Sequence, residues 1–332
     1  MTPRRYDESD VRIRPSRSNP RRSKDRPDYS TAPTAFVTTV DRGRITCLTD
    51  SGVLVTAMKA RELGKNSVVV GDRIRLSGDV TGADGTLARA VEVMPRKNQL
   101  SRTVDDVGAF EKVLVSNIDQ MVIVVAAANP EPRHGFIDRC LAVAFDQGIK
   151  PILVVTKCDL ADPADFIETY RDLKFETITS SIPKNSTEKS EAVVRLLGLL
   201  DGKVSVLIGH SGVGKSTLFN RLLGTEARAT GSVNDATGRG RHTSSSAHAF
   251  ALANGWLIDT PGVRSFGLEH IDRNRVISSF ADLAEAIESC PKNCSHNEPN
   301  CGLNRLGGEE SHARVESLRR LLNSSMSYSQ ND

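Results

Sequence analysis

The 332-residue chain reads as a multidomain protein in three parts: a small N-terminal β-barrel, a central α/β domain, and a C-terminal helical segment. Three observations predict this. Short β-branched runs crowd residues 34–96, with turn residues between them. Longer apolar runs then alternate with helical spacing, and one of them, Val204–Ile208, opens into the glycine-rich stretch Gly209–Ser216. Finally, Cys290, Cys294, His296 and Cys301 fall within twelve residues of one another.

Composition is that of an ordinary water-exposed chain, 38% apolar and 26% charged. No apolar run approaches the ~20 residues of a membrane span, and the first residues lack an apolar signal core. A cytoplasmic monomer with no membrane partner is expected. Six cysteines would not form a disulfide framework in that compartment.

Residues 1–33 hold eight Arg and one Lys against five acids, while the whole chain carries only +3. They have no hydrophobic period, so a disordered basic tail is expected. It reads either as a solvated tail or as an arm laid along nucleic-acid phosphates.

Residues 34–96 offer Ala35–Val40, Arg44–Leu48, Val53–Ala57, Val68–Val70, Arg73–Ser77 and Leu87–Val93 as strands. Five or six strands in so short a span predict an OB-fold barrel. Arg42, Arg44, Lys59, Arg61, Lys65, Arg73 and Arg75 give it basic character. With Phe36 its lone aromatic residue, contact with backbone and shape is expected over base stacking.

In residues 97–270, Met121–Ala126 and Pro151–Val155 predict strands covered on both faces. Phe175–Thr179 predicts another strand, and Glu188–Leu200 a helix. Gly209-His210-Ser211-Gly212-Val213-Gly214-Lys215-Ser216 then matches G-x-x-x-x-G-K-[ST], with a strand before it and a helix beginning at Thr217. Backbone N–H groups and the helix N-terminus would converge on phosphate oxygens. Lys215 would reach the β- and γ-phosphates and Ser216 would ligate Mg²⁺.

Thr156-Lys157-Cys158-Asp159 resembles the guanine motif N-K-x-D, with Thr in place of Asn. The Asp159 carboxylate would accept two hydrogen bonds from guanine, each worth roughly 1.5–3 kcal/mol. Adenine offers no such donor pair. Lys157 would lie along the base, and Ser180 falls in a loop that fits the guanine carbonyl contact. Downstream, His242-Thr243 occupies the place of switch I, and Asp259-Thr260-Pro261-Gly262 that of switch II. Thr243 and Asp259 would complete the Mg²⁺ shell, and the Gly262 N–H would sense the γ-phosphate. The base motif precedes the phosphate loop by about fifty residues, so the domain is expected to be circularly permuted.

In residues 271–332, Arg275–Ser289 predicts a helix and Glu309–Leu322 a second one. Cys290, Cys294, His296 and Cys301 can close a tetrahedral structural zinc site with no open position.

A barrel, a permuted P-loop domain with G-R-H-T and D-T-P-G-V, and this Cys/His cluster together resemble the RsgA (YjeQ) family over residues 34–322. That family comprises GTPases dependent on the small ribosomal subunit that act late in 30S assembly. The resemblance implies an OB-fold, a permuted GTPase core and a zinc-binding C-terminal domain. It also implies GTP and GDP as ligands and the 30S subunit with its 16S rRNA as partner. The family spacing C-x₄-C-x-H-x₅-C is shortened here to C-x₃-C-x-H-x₄-C. Val263 follows D-x-P-G where many GTPases carry a water-orienting Gln, so unassisted hydrolysis is expected to be slow. Lys215, His242 and Thr243 are the catalytic candidates, with His242 as water-positioning group or solvated loop residue. Arg239 and Arg241 would offset charge or contact RNA. The rival readings are an RNA-binding module regulated by nucleotide but with negligible turnover, and a P-loop ATPase.

Overall fold

From Thr34 onward, inward apolar residues alternate with outward polar ones, and five strands result. They are β1 (Thr34–Asp41), β2 (Arg44–Thr49), β3 (Leu54–Lys59), β4 (Arg73–Gly78) and β5 (Ala88–Val93). The computed structural model describes residues 28–64, 67–104, 110–181, 190–224, 247–260 and 272–326. Pairing runs β1-β2-β3-β5-β4 and returns from β4 to β1, with the β3–β5 pair alone parallel. That closed order makes an OB-type barrel. Small inward residues (Ala35, Ala57, Ala88 and Ala90) leave room inside it for Ile45, Ile74 and Leu76. Arg42 and Gly43, at φ of 45° and 87°, make the two-residue turn between β1 and β2.

The expected strand at Val68–Val70 is absent; its residues are buried in a loop whose sole bridge is Val70–Val115. The cause is Asp72, which is fully buried. Its carboxylate accepts from the Val69 N–H at 2.8 Å and folds the segment back. It also accepts from Ser116 Oγ at 2.6 Å and from Arg96 Nε and Nη2 at 2.6 and 2.8 Å. Ser116 ends the hairpin of β6 (Gln99–Val104) and β7 (Phe110–Ser116), so Asp72 clasps the barrel to the segment that follows it.

The second half of the molecule is an open sheet: β8 (Gln120–Ala126), α1 (His134–Asp146), β9 (Lys150–Thr156), α2 (Ala164–Glu168), β10 (Glu176–Thr179), α3 (Glu191–Leu200), β11 (Val204–Ile208), α4 (Lys215–Leu223), β12 (His248–Leu252) and β13 (Gly255–Asp259). Strand order is β10-β9-β8-β11-β13-β12, parallel except for β12. Alternate residues of the continuous apolar runs face opposite layers. Met121, Ile123 and Val125 pack toward α1 and the C-terminal elements. Val122, Val124 and Ala126 pack toward α3 and α4. The strand that feeds the glycine-rich loop is central in space yet late in the chain, as a permuted order requires.

One rung, Thr39–His248, joins β1 of the barrel to β12. Beside it Phe36 stacks on Trp256 of β13, with centroids 4.8 Å apart and planes at 28°. Trp256 is the only tryptophan in the chain.

The C-terminal segment departs from expectation. In place of one helix over 275–289 there are α5 (Arg273–Ser278), a 3₁₀ turn at Ala281–Leu283 and α6 (Ala284–Glu288). The chain breaks at Phe280 (φ −107°, ψ 58°), whose ring is buried edge-on to Phe145 with Arg314 lying 4.2 Å above it. Seating that aromatic ring outweighs one continuous helix. The last helix, α7 (Glu309–Met326), buries Val315, Leu318, Leu321 and Leu322 and packs on α1. Arg320 Nε reaches the buried Asp138 of α1 at 3.1 Å. No helix among the described residues is long and apolar enough to cross a membrane.

Candidate nucleotide site and metal centre

The sheet reverses direction of winding between β8 and β11, and the loop after β11 lies at the carboxyl end of that crevice. In open α/β sheets this is where ligands bind. Gly209 begins the loop where a Cβ would sit 2.5 Å from the Val124 carbonyl oxygen, so only glycine lets the loop pass over β8. Gly214, at φ 89°, ends it and caps α4. Ser211 and Gly212 are exposed, Val213 is buried, and Lys215, Ser216 and Thr217 form the first turn of α4. Lys215 Nζ stands 2.8 Å from Oδ1 of Asp259, at the end of β13. The lysine of the G-K-S motif and the aspartate of D-T-P-G therefore share one floor.

The His210 ring packs on Phe136 of α1, with centroids 4.2 Å apart. Together with Ser211, Val213 and Arg133 it lines a cavity of about 430 Å³ beside the loop.

The base motif follows β9, which β8 separates from β11. Thr156 is buried, and its hydroxyl lies 2.5 Å from the Val213 carbonyl oxygen and 3.1 Å from that of Val125. Lys157, in the left-handed region at φ 56°, donates its Nζ hydrogen to the Asn129 carbonyl of the β8–α1 loop. Asp159 is exposed. The Cys158 N–H donates to the Ser180 carbonyl at 3.2 Å, and the Ser180 N–H to Val155 at 2.8 Å, so the two expected base loops are stitched together. Ser180 itself is buried, and its hydroxyl has no hydrogen-bond partner among the described residues. His242, Thr243 and Gly262, with Arg239, Arg241 and Val263, lie outside the described residues.

The four C-terminal ligand candidates converge despite their shortened spacing. Their donor atoms all lie within 4.8 Å of one another. Cys290 Sγ is 3.7 Å from Cys301 Sγ and 3.7 Å from His296 Nδ1, and Cys301 Sγ is 3.8 Å from that nitrogen. A tetrahedron with metal–sulfur bonds of about 2.3 Å has edges of about 3.8 Å, so the donor set fits a metal ion. The N–H groups of His296 and Gly302 donate to the sulfurs of Cys294 and Cys290 at 3.4 and 3.3 Å. Burial lowers the His296 pKa, which keeps the imidazole in its neutral, ligating form. Among the described residues no other His, Cys and carboxylate groups cluster in this way.

A model of the RsgA GTPase family matches residues 93–269, more than half of the chain. The chain belongs to the RsgA GTPase family. Its relatives include a protein named small ribosomal subunit biogenesis GTPase RsgA from Pseudomonas aeruginosa, 35% identical over 71% of this chain and 69% of that one. The protein of the same name from Saccharophagus degradans is 35% identical over 78% and 76% of the two chains. Two solved structures share the fold. YjeQ from Thermotoga maritima has a TM-score of 0.59 at 22% identity, covering 87% of this chain and 98% of its own. YloQ, described as a circularly permuted GTPase, has a TM-score of 0.60 at 21% identity, covering 90% and 98%. As a member of the RsgA family the protein is a GTP hydrolase with a permuted GTPase domain.

Reading the sequence missed α1 and the 127–133 loop that meets the phosphate loop. Phe136, Ile137, Cys140, Leu141 and Ala144 carried a helical period that predicts α1. No local pattern announced the partner of the Thr156 hydroxyl.

Proposed function

We propose that this GTPase acts in assembly of the small ribosomal subunit, where docking on the 30S particle accelerates hydrolysis of GTP and hydrolysis favours release. The observation that carries the reading is the Lys215–Asp259 floor beneath a phosphate loop tied to a T-K-C-D motif, in a chain of this family. The relatives' name supplies the partner.

In this reading Asp159 selects guanine and Lys215 holds the β- and γ-phosphates. Ser216, Asp259 and Thr243 would hold Mg²⁺, which neutralises phosphate charge when bound. Gly262 senses the γ-phosphate, and His242 orients water in place of the side chain that Val263 lacks. Cys290, Cys294, His296 and Cys301 hold one structural zinc ion. The protein works as a cytoplasmic monomer whose parts are the tail (1–33), the barrel (34–96), the GTPase domain (97–270) and the zinc domain (271–332).

The barrel offers a surface for rRNA. Arg44 pairs laterally with Met58, and Met58 with Arg89, so the three side chains form one outward row across β2, β3 and β5. All three are exposed, Met58 by 48%, and neither guanidinium forms an ion pair among the described residues. Two cations flanking an apolar side chain suit a phosphate backbone with a base or sugar laid between.

The test is GTP turnover alone, with purified 30S subunits, and with 50S subunits. Stimulation by 30S alone is expected. Equal, slow turnover in all three would refute the partner and leave a permuted GTPase with no assigned partner.

A further inference from the structure

We infer that Gly302 is a positioning residue for the metal donors: its missing side chain is what lets the shortened Cys/His loop close. The glycine opens the 3₁₀ turn Gly302–Arg305 and is buried. Its φ lies outside the left-handed region, so alanine could adopt the same backbone. Space is what alanine would lack. An added Cβ would stand 2.1 Å from the Ala286 carbonyl oxygen, 2.3 Å from Ser289 Oγ and 3.2 Å from Cys290 Sγ. The first of these atoms is backbone of α6. The second is pinned, because the Ser289 hydroxyl donates to that same carbonyl at 2.7 Å.

All three obstructing atoms belong to one stretch, 286–290, and that stretch carries Cys290. The opposite side is held as well, since Cys301 and Leu303 flank Gly302 and both are buried in the main core. A Cβ at position 302 would therefore drive a wedge between Cys290 and Cys301. Their sulfurs stand 3.7 Å apart, the edge that a tetrahedral site requires. The same close approach brings the Gly302 N–H within 3.3 Å of Cys290 Sγ, a hydrogen bond to a ligand atom that supports its placement.

The spacing supplies the reason for a glycine here. Three residues separate Cys290 from Cys294 and four separate His296 from Cys301, each gap one shorter than the family spacing. A loop that short cannot arch clear of the end of α6 and must cross it backbone to backbone. The inference deepens the metal-site reading above and rests on it.

The experiment titrates metal-free, reduced protein with cobalt(II), and then with zinc in competition with a chromophoric chelator. Cobalt in a tetrahedral site of thiolates and imidazole absorbs visible light, so its spectrum reports geometry as well as occupancy. Gly302→Ala keeps the amide and adds only the Cβ. It is expected to weaken zinc binding by about tenfold to a hundredfold, the usual effect of disturbing a ligand's support, and to dim the tetrahedral cobalt bands. Gly307→Ala is the control, because a Cβ there meets nothing within 4 Å; it should bind as the wild type does. One glycine inserted between Asn300 and Cys301 lengthens the second gap, and in that background Gly302→Ala should bind metal as well as Gly302 does. Should Gly302→Ala fail to fold in the natural loop, the lengthened chain with and without the alanine carries the comparison.

Wild-type affinity and an unchanged cobalt spectrum in Gly302→Ala would overturn the inference. So would an equal loss in Gly307→Ala, or a loss that the inserted glycine does not repair. A wild-type protein that took up neither cobalt nor zinc would instead bring down the metal reading, and this inference with it.

Discussion

Asp72 illustrates how much one buried carboxylate can hold. Four donors from three segments converge on it: the loop at Val69, the hairpin at Ser116 and the linker at Arg96. Truncation would leave a guanidinium, a hydroxyl and an amide facing a void. Asp72→Ala is therefore expected to lower the unfolding free energy by about 3–5 kcal/mol, the range for breaking one side of a buried ion pair. Urea denaturation measures this, and a loss below about 1 kcal/mol would mean that water replaces the carboxylate. In the sequence this residue is only an Asp after a Gly, which reads as a turn. Thr156 is similar: its place in the motif was legible, whereas the aim of its hydroxyl depends on β8 lying between two strands that the chain visits 48 residues apart. Residue roles set by long-range neighbours leave no local trace, but the glycines of the phosphate loop do, because their backbone demands are local.

Among the elements, the strands covered on both faces were read most faithfully, whereas β6, β7 and β12 were not read at all. β11 ends where its apolar run ends, and β8, β9 and β10 lie within one residue of the expected limits at each end. Strands buried on both faces leave a continuous apolar signature that little else imitates. The expected helix at 275–289 failed because periodicity cannot see a tertiary demand such as the seat of Phe280 between Phe145 and Arg314. The loop from Cys290 to Cys301 has few ladder hydrogen bonds, so a metal ion held by its four donors should supply much of its order. If the proposed zinc ion is bound there, a chelator strong enough to strip it is expected to expose three further thiols to a thiol reagent. Cys47 and Cys140 should stay protected: both are fully buried, and burial pushes the Cys47 thiol up to about 12 and raises that of Cys140 as well. Three thiols already reactive before chelation would contradict a closed metal site.

On the scale of the whole molecule, the permuted order was visible from motif order alone, because each motif is short and self-contained. The closed barrel order, with β5 between β3 and β4, was not, since pairing partners are chosen in space. That closure brings Arg44, Met58 and Arg89 from three strands into one row. Replacing both arginines by glutamate is expected to weaken 30S binding and to flatten its salt dependence by a slope of about 1–2, with turnover in the absence of subunits unchanged. Undiminished subunit affinity would place the RNA contact elsewhere. The Phe36–Trp256 stack has a consequence of another kind. Because the chain has no second tryptophan, its indole emission comes from one place, three residues before Asp259 and against the first strand of the barrel. The protein thus carries an intrinsic optical gauge on the joint between its two sheets. A fluorescence titration can follow that joint while nucleotide is exchanged or a subunit is added, with no dye attached.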